Sequence, residues 1–156
     1  LAHFVLDKNR SISKADAELM IDTHVDASIF KLTDALASKN ARVSLALLHQ
    51  VMESGEDLYR ILFMIVRQFR IILQVKDLLE KRTDRNEIAR TLGEKPFVVS
   101  IALSQASNFS LDKLHTIYAK LLEIDTQRKT GVIKSIQGDE REFQLAVEKF
   151  IVEMCR

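Results

Sequence analysis

The chain has four glycines and one proline, and all of them fall between segments of helical periodicity. Gly55, Gly93, Gly131, Gly138 and Pro96 stand where helices would end or begin, and none interrupts a periodic run. No stretch alternates apolar and polar residues over a useful length, so a sheet has no sequence to be built from. The chain is therefore expected to be all-α, a bundle of helices joined by short turns.

Capping residues bound those helices. Ser13 with Asp16 resembles a capping box and opens a helix to about Asp22. Asp26 is placed to cap Ala27 to Ala37, which stops at the polar Ser38-Lys39-Asn40. Ala41 to Ser54 follows, with Val43, Leu47 and Val51 at four-residue spacing and Gly55 closing it. Glu56 to about Arg82 forms one long helix, and Asp84 to Leu92 a short one ending at Gly93. Pro96 opens a helix to about Ser107, Ser110 caps Leu111 to Lys129, and Asp139 is placed to cap Glu140 to Met154.

The long helix is unusual. From Leu58 to Val75 its apolar residues wrap nearly all the way round, which predicts burial on more than one side. Inside that run lies IVRQFRIILQVK, with Arg67 and Arg70 three residues apart and close enough to share an acidic partner. A chain of 156 residues places such a helix at the centre of a bundle, or with one face against another chain. Taken singly, either arginine reads first as a stem laid on apolar surface with its head in water.

Several functions are excluded or disfavoured. Lys and Arg total 23 against 22 Asp and Glu, so bulk charge draws the chain to neither nucleic acid nor an anionic membrane. The most apolar segment, Leu58 to Leu79, is broken by charges and cannot span a bilayer. The only cysteine, Cys155, permits no internal disulfide and suits a reducing, cytoplasmic setting. His3, His24, His49 and His115 are scattered, so no metal site is expected, and the glycines are too dispersed for a phosphate loop; no cofactor is implied. Lys129-Thr130-Gly131 and Ser11-Ile12-Ser13-Lys14 match fragments of a penicillin-recognising signature. A cationic helix end followed by glycine, and a helix cap, account for the same letters. No catalytic residue is assigned.

Two local features remain open. Asn86 to Ala106 has Ala89, Gly93 and Val99 at helix-turn-helix spacing, the basis of an alternative reading as a DNA-binding domain. Its second helix carries Phe97, Val98, Val99, Ile101, Ala102 and Leu103 and no cation after Lys95, so burial suits it better than a DNA groove. Asp125 shares a face with Leu114, Tyr118, Leu121 and Leu122, and can pair with Arg128 or Lys129 one turn on.

The stretches GEDLYRILFMIVRQFRIILQVKDLLEK, NEIARTLGEKPFVVSIALSQASNFSLDKL and LLEIDTQRKTG, with IFKLTDALASKNARVSLALLHQVMESG upstream, together resemble the delta-subunit family of bacterial DNA polymerase III clamp loaders. The resemblance covers about Ser28 to Cys155. It implies a helical collar over residues 26–156, preceded by the end of an AAA+ lid in residues 1–25, where SISKADAELMI lies. Because the chain opens on Leu1, with Leu1 to Leu6 reading as the last turns of a helix, it is expected to be a fragment without the family's N-terminal clamp-binding domain. The family departs from this chain after Gly131, where VIKSIQGDERE is longer or more polar than expected.

What the resemblance implies is a non-catalytic assembly function. The collar would join gamma or tau subunits, the sliding clamp would be reached only through the missing domain, and DNA only in the assembled loader. A collar from a gamma- or tau-type subunit is the nearest alternative. Candidate interface residues are Phe63, Arg67, Phe69, Arg70 and Gln74, and Asp125 with Lys129 is a candidate structural ion pair.

Overall fold

The computed structural model describes residues 27–135 and 139–155. The expected Ser13–Asp22 helix, the Asp26 cap, Gly138 and Ser11–Lys14 lie outside these residues. Among the described residues the fold is all-α, with seven helices. They are α1 (residues 27–37), α2 (Ala41–Glu53), α3 (Leu58–Glu80), α4 (Arg85–Leu92), α5 (Pro96–Ala106), α6 (Leu111–Lys129) and α7 (Arg141–Met154).

Side chains fix most helix starts. Asn40 accepts from the Val43 amide at 3.1 Å, Asp57 from Arg60 at 3.1 Å, Asp84 from Asn86 at 2.9 Å and Ser110 from Lys113 at 3.2 Å. Each satisfies a donor that the first turn leaves without an intrahelical partner. Pro96 fills the first position of α5, where no amide is needed. Asp139 does not cap α7 as expected. Glu140 stands at the N-cap without a side-chain bond, and both Asp139 oxygens accept from the Arg141 guanidinium instead, at 2.8 and 2.9 Å. A bidentate guanidinium is a stronger partner than one backbone amide.

Helix α3 is the centre of the bundle, packing most extensively on α5 and α6, while α2 packs on α7 and α7 on α6. Leu58, Ile61, Leu62, Ile65, Phe69, Ile71, Ile72 and Val75 of α3 are all buried. One continuous apolar core joins them to residues of every other helix. The helix-turn-helix alternative meets the same geometry. In α5, Val98, Val99, Ala102, Gln105 and Ala106 are buried, so its reading face is spent on the core.

Candidate functional site

Helix α3 is covered on nearly every side, so the face it leaves open is informative. Phe63, Arg67, Arg70 and Gln74 are spaced by four, three and four residues, which brings them onto one narrow stripe. Phe63 is 57% exposed, Arg70 and Gln74 are exposed, and Arg67 is half-buried. Phe69 does not belong to this stripe. It is 1% exposed and its ring meets Phe109 edge-on, with centroids 5.8 Å apart. Expected at an interface, it is instead turned away from the stripe, into the core.

The two arginines do not share a partner. Arg67 donates to Glu94, in the turn between α4 and α5, while Arg70 lies one turn further along α3 in solvent. Asp125 and Lys129 do pair, with Lys129 Nζ donating to Asp125 Oδ2 at 2.6 Å. That hydrogen bond raises the Lys129 ammonium above its ordinary value. The lysine of the Lys-Thr-Gly sequence is thus in the last turn of a helix, held by a carboxylate.

Next to Phe63 the surface is concave. Tyr59, Phe63 and Val66 of α3 face Tyr118, Leu122 and the Asp125–Lys129 pair of α6 across a groove of about 290 Å³. Leu62 and Leu121 form its floor. Leu122 is 58% exposed. The Arg128 guanidinium carbon lies 4.0 Å from the centre of the Tyr59 ring, with the Phe143 ring of α7 also within reach at 5.7 Å. This cation–π contact holds the tyrosine against the bundle. The shared face read from sequence therefore divides: Leu114 and Leu121 are in the core, while Tyr118, Leu122 and Asp125 line the groove. Tyr59, Tyr118 and Leu122 were not among the expected interface residues, although the four-residue spacing of Tyr59–Phe63 and of Tyr118–Leu122 is a visible signal.

No group of three His, Cys, Asp or Glu side chains among the described residues is arranged to hold a metal ion. No helix among them is long and apolar enough to cross a membrane.

Comparison with known proteins identifies relatives of this chain. The family described as DNA polymerase III delta subunit, C-terminal domain, matches residues 26–154. The DNA polymerase III subunit delta of Bacillus subtilis (strain 168) is 28% identical over 156 residues, which is all of this chain and 42% of that protein. The solved structure of the Bacillus subtilis DNA clamp loader delta protein superposes with a TM-score of 0.77 at 28% identity, over 98% of this chain and 42% of that one. The chain thus spans less than half the length of the relatives it matches. With the match running over nearly every described residue, and to delta rather than to a gamma- or tau-type protein, the chain belongs to the family formed by the C-terminal domains of DNA polymerase III delta subunits.

Proposed function

We propose that this chain is the assembly region of a clamp-loader delta subunit. It is non-catalytic, cytoplasmic, and joins the loader to gamma or tau subunits through a helical collar. The open stripe on α3 is the observation that carries this reading. A helix buried on nearly every other side exposes Phe63, Arg70 and Gln74 in line, with the half-buried Arg67 between them. The apolar and arginine content of that stripe is what protein interfaces favour. The collar comprises residues 26–156, supported by a family match that begins at residue 26, and residues 1–25 belong to the preceding AAA+ lid. Contact with the sliding clamp belongs to the N-terminal part of the longer protein. DNA is engaged only by the assembled loader.

The direct test is light scattering of this chain mixed with the C-terminal domain of gamma or tau. A species with the summed mass at tens of micromolar is expected; two separate species at that concentration would overturn the proposal.

A further inference from the structure

The groove between α3 and α6 raises a narrower question: what shape and charge of partner does it fit? Tyr59 near the start of α3 lies under Arg128 near the end of α6, so the two helices run antiparallel here. The trough between two antiparallel helices is the seat of a third helix in a bundle. Its polar lining does not converge on a small ligand: the charged side chains along it, Asp125 and Lys129, are bonded to each other. Its apolar lining is left open instead. Phe63 and Leu122 face each other across it with more than half of each side chain in solvent, and Tyr59 is 39% exposed beside them. One exposed apolar residue is ordinary, but three around a single trough mark a surface that something covers.

Charge along the trough selects among helices. Lys129 is neutralised by Asp125 and Arg67 by Glu94. Arg70 stands four residues beyond Val66, is exposed, and has no carboxylate beside it among the described residues. It lies seven residues after Phe63, which on a helix is about 10 Å, or two turns. The complement of this surface is an amphipathic helix with apolar anchors over Tyr59, Phe63 and Leu122 and a carboxylate two turns away.

We propose that the α3–α6 groove is the seat of one amphipathic helix from another loader subunit, anchored on Phe63 and Leu122 and oriented by a carboxylate opposite Arg70. This rests on the assembly reading above and specifies the face used and the chemistry of what docks there. Gln74, one further turn along the stripe, supplies a polar rim.

Full-length gamma or tau subunit is the probe, titrated against this chain and three variants, with circular dichroism confirming the fold of each. Phe63→Glu and Leu122→Glu change exposed side chains and are expected to weaken binding by about tenfold or more. Leu145→Glu alters an exposed apolar residue of α7 outside the groove and is expected to bind as the parent does. A photo-crosslinking p-benzoylphenylalanine in place of Phe63 should then label a single segment of the probe, helical in pattern and with Asp or Glu six to eight residues from the labelled position. If the parent chain binds while both groove variants bind equally well, the groove is overturned and the assembly reading stands. Labelling of a loop, or of a helix without that carboxylate, also overturns the groove. If the parent chain does not bind at all, both proposals fall.

Discussion

Gln68 Nε2 donates to Gln105 Oε1 at 2.7 Å, deep in the contact between α3 and α5. Gln105 then donates onward to α1, to Asp34 Oδ1 at 2.6 Å and Thr33 Oγ1 at 3.0 Å. One amide thereby ties three helices together in a region where both glutamines are almost fully buried. Breaking such a bond from one side leaves the other partner desolvated and unsatisfied, which costs more than the bond itself contributes. Gln105→Ala should destabilise the chain by about 2–3 kcal/mol in urea denaturation. Because Gln68 Oε1 already lacks a partner, the double replacement Gln68→Leu with Gln105→Leu should cost less than Gln105→Ala alone. A double variant weaker than the single would show that the network stabilises more than it costs to bury.

That network marks the limit of what the sequence made legible. Helix existence followed from local rules, and so did the Ser110 cap, which acts on an amide three residues away, whereas Asp57 and Asp84, which cap α3 and α4, were not read as caps. Gln68 and Gln105 are 37 residues apart, and nothing local tells a buried glutamine from an exposed one. The same holds for Phe63 and Phe69. Both belong to one apolar run, and only the packing of the other helices around α3 decides which faces inward. The groove was partly legible, since each wall repeats at helical spacing, but its existence depends on α6 lying antiparallel to α3, a tertiary fact.

Phe63 and Phe69 should respond in opposite ways to truncation. Phe69→Ala removes a ring sealed in the core and is expected to cost about 3–5 kcal/mol. Phe63→Ala, more than half exposed, should stay within about 0.5 kcal/mol of the parent. Thermal melts of the two variants decide it; equal losses would mean that Phe63 is packed in the free protein.

Arg82 ends α3 in a left-handed conformation, with φ of 59°. Its amide bonds Leu79 O and the Thr83 amide bonds Leu78 O, both at 3.0 Å, the paired closure for which glycine is the usual residue. Arginine bears a Cβ strain there that glycine lacks. Arg82→Gly should therefore raise stability by about 0.5–1 kcal/mol despite greater freedom in the unfolded chain. A lower melting temperature would mean that the arginine side chain contributes more than the strain removes.

Acid should loosen the contact of α2 with α7. His49 Nε2 and Glu148 Oε1 are 2.8 Å apart across it. The hydrogen bond from His49, and then that from Gln144, hold the Glu148 carboxyl below its ordinary value of 4.5. A folded-state value below the unfolded one means that the unfolded chain binds the proton more readily. This contribution is fully present above the ordinary value and is lost as pH falls through the lower folded one. Glu148→Gln should flatten that part of the stability profile, read as urea midpoints from pH 6 down to about pH 3. An unchanged slope would assign the acid sensitivity to other carboxylates.

Arg67 and Arg70 differ in what holds them, and so in what their loss should do. Arg67 reaches from α3 to Glu94 and braces the turn between α4 and α5 in a half-buried setting. Removing it should cost about 0.5–1 kcal/mol of stability, and a double-mutant cycle with Glu94→Ala should return a coupling of that size. Arg70 is in solvent, so Arg70→Ala should leave the unfolding midpoint where it is. If the proposed assembly role holds, affinity for gamma or tau should fall several-fold at low salt, with the difference shrinking as ionic strength rises. Unchanged affinity in Arg70→Ala at every salt concentration would reduce that arginine to solvated surface, and the open stripe of α3 would then act through its apolar half alone.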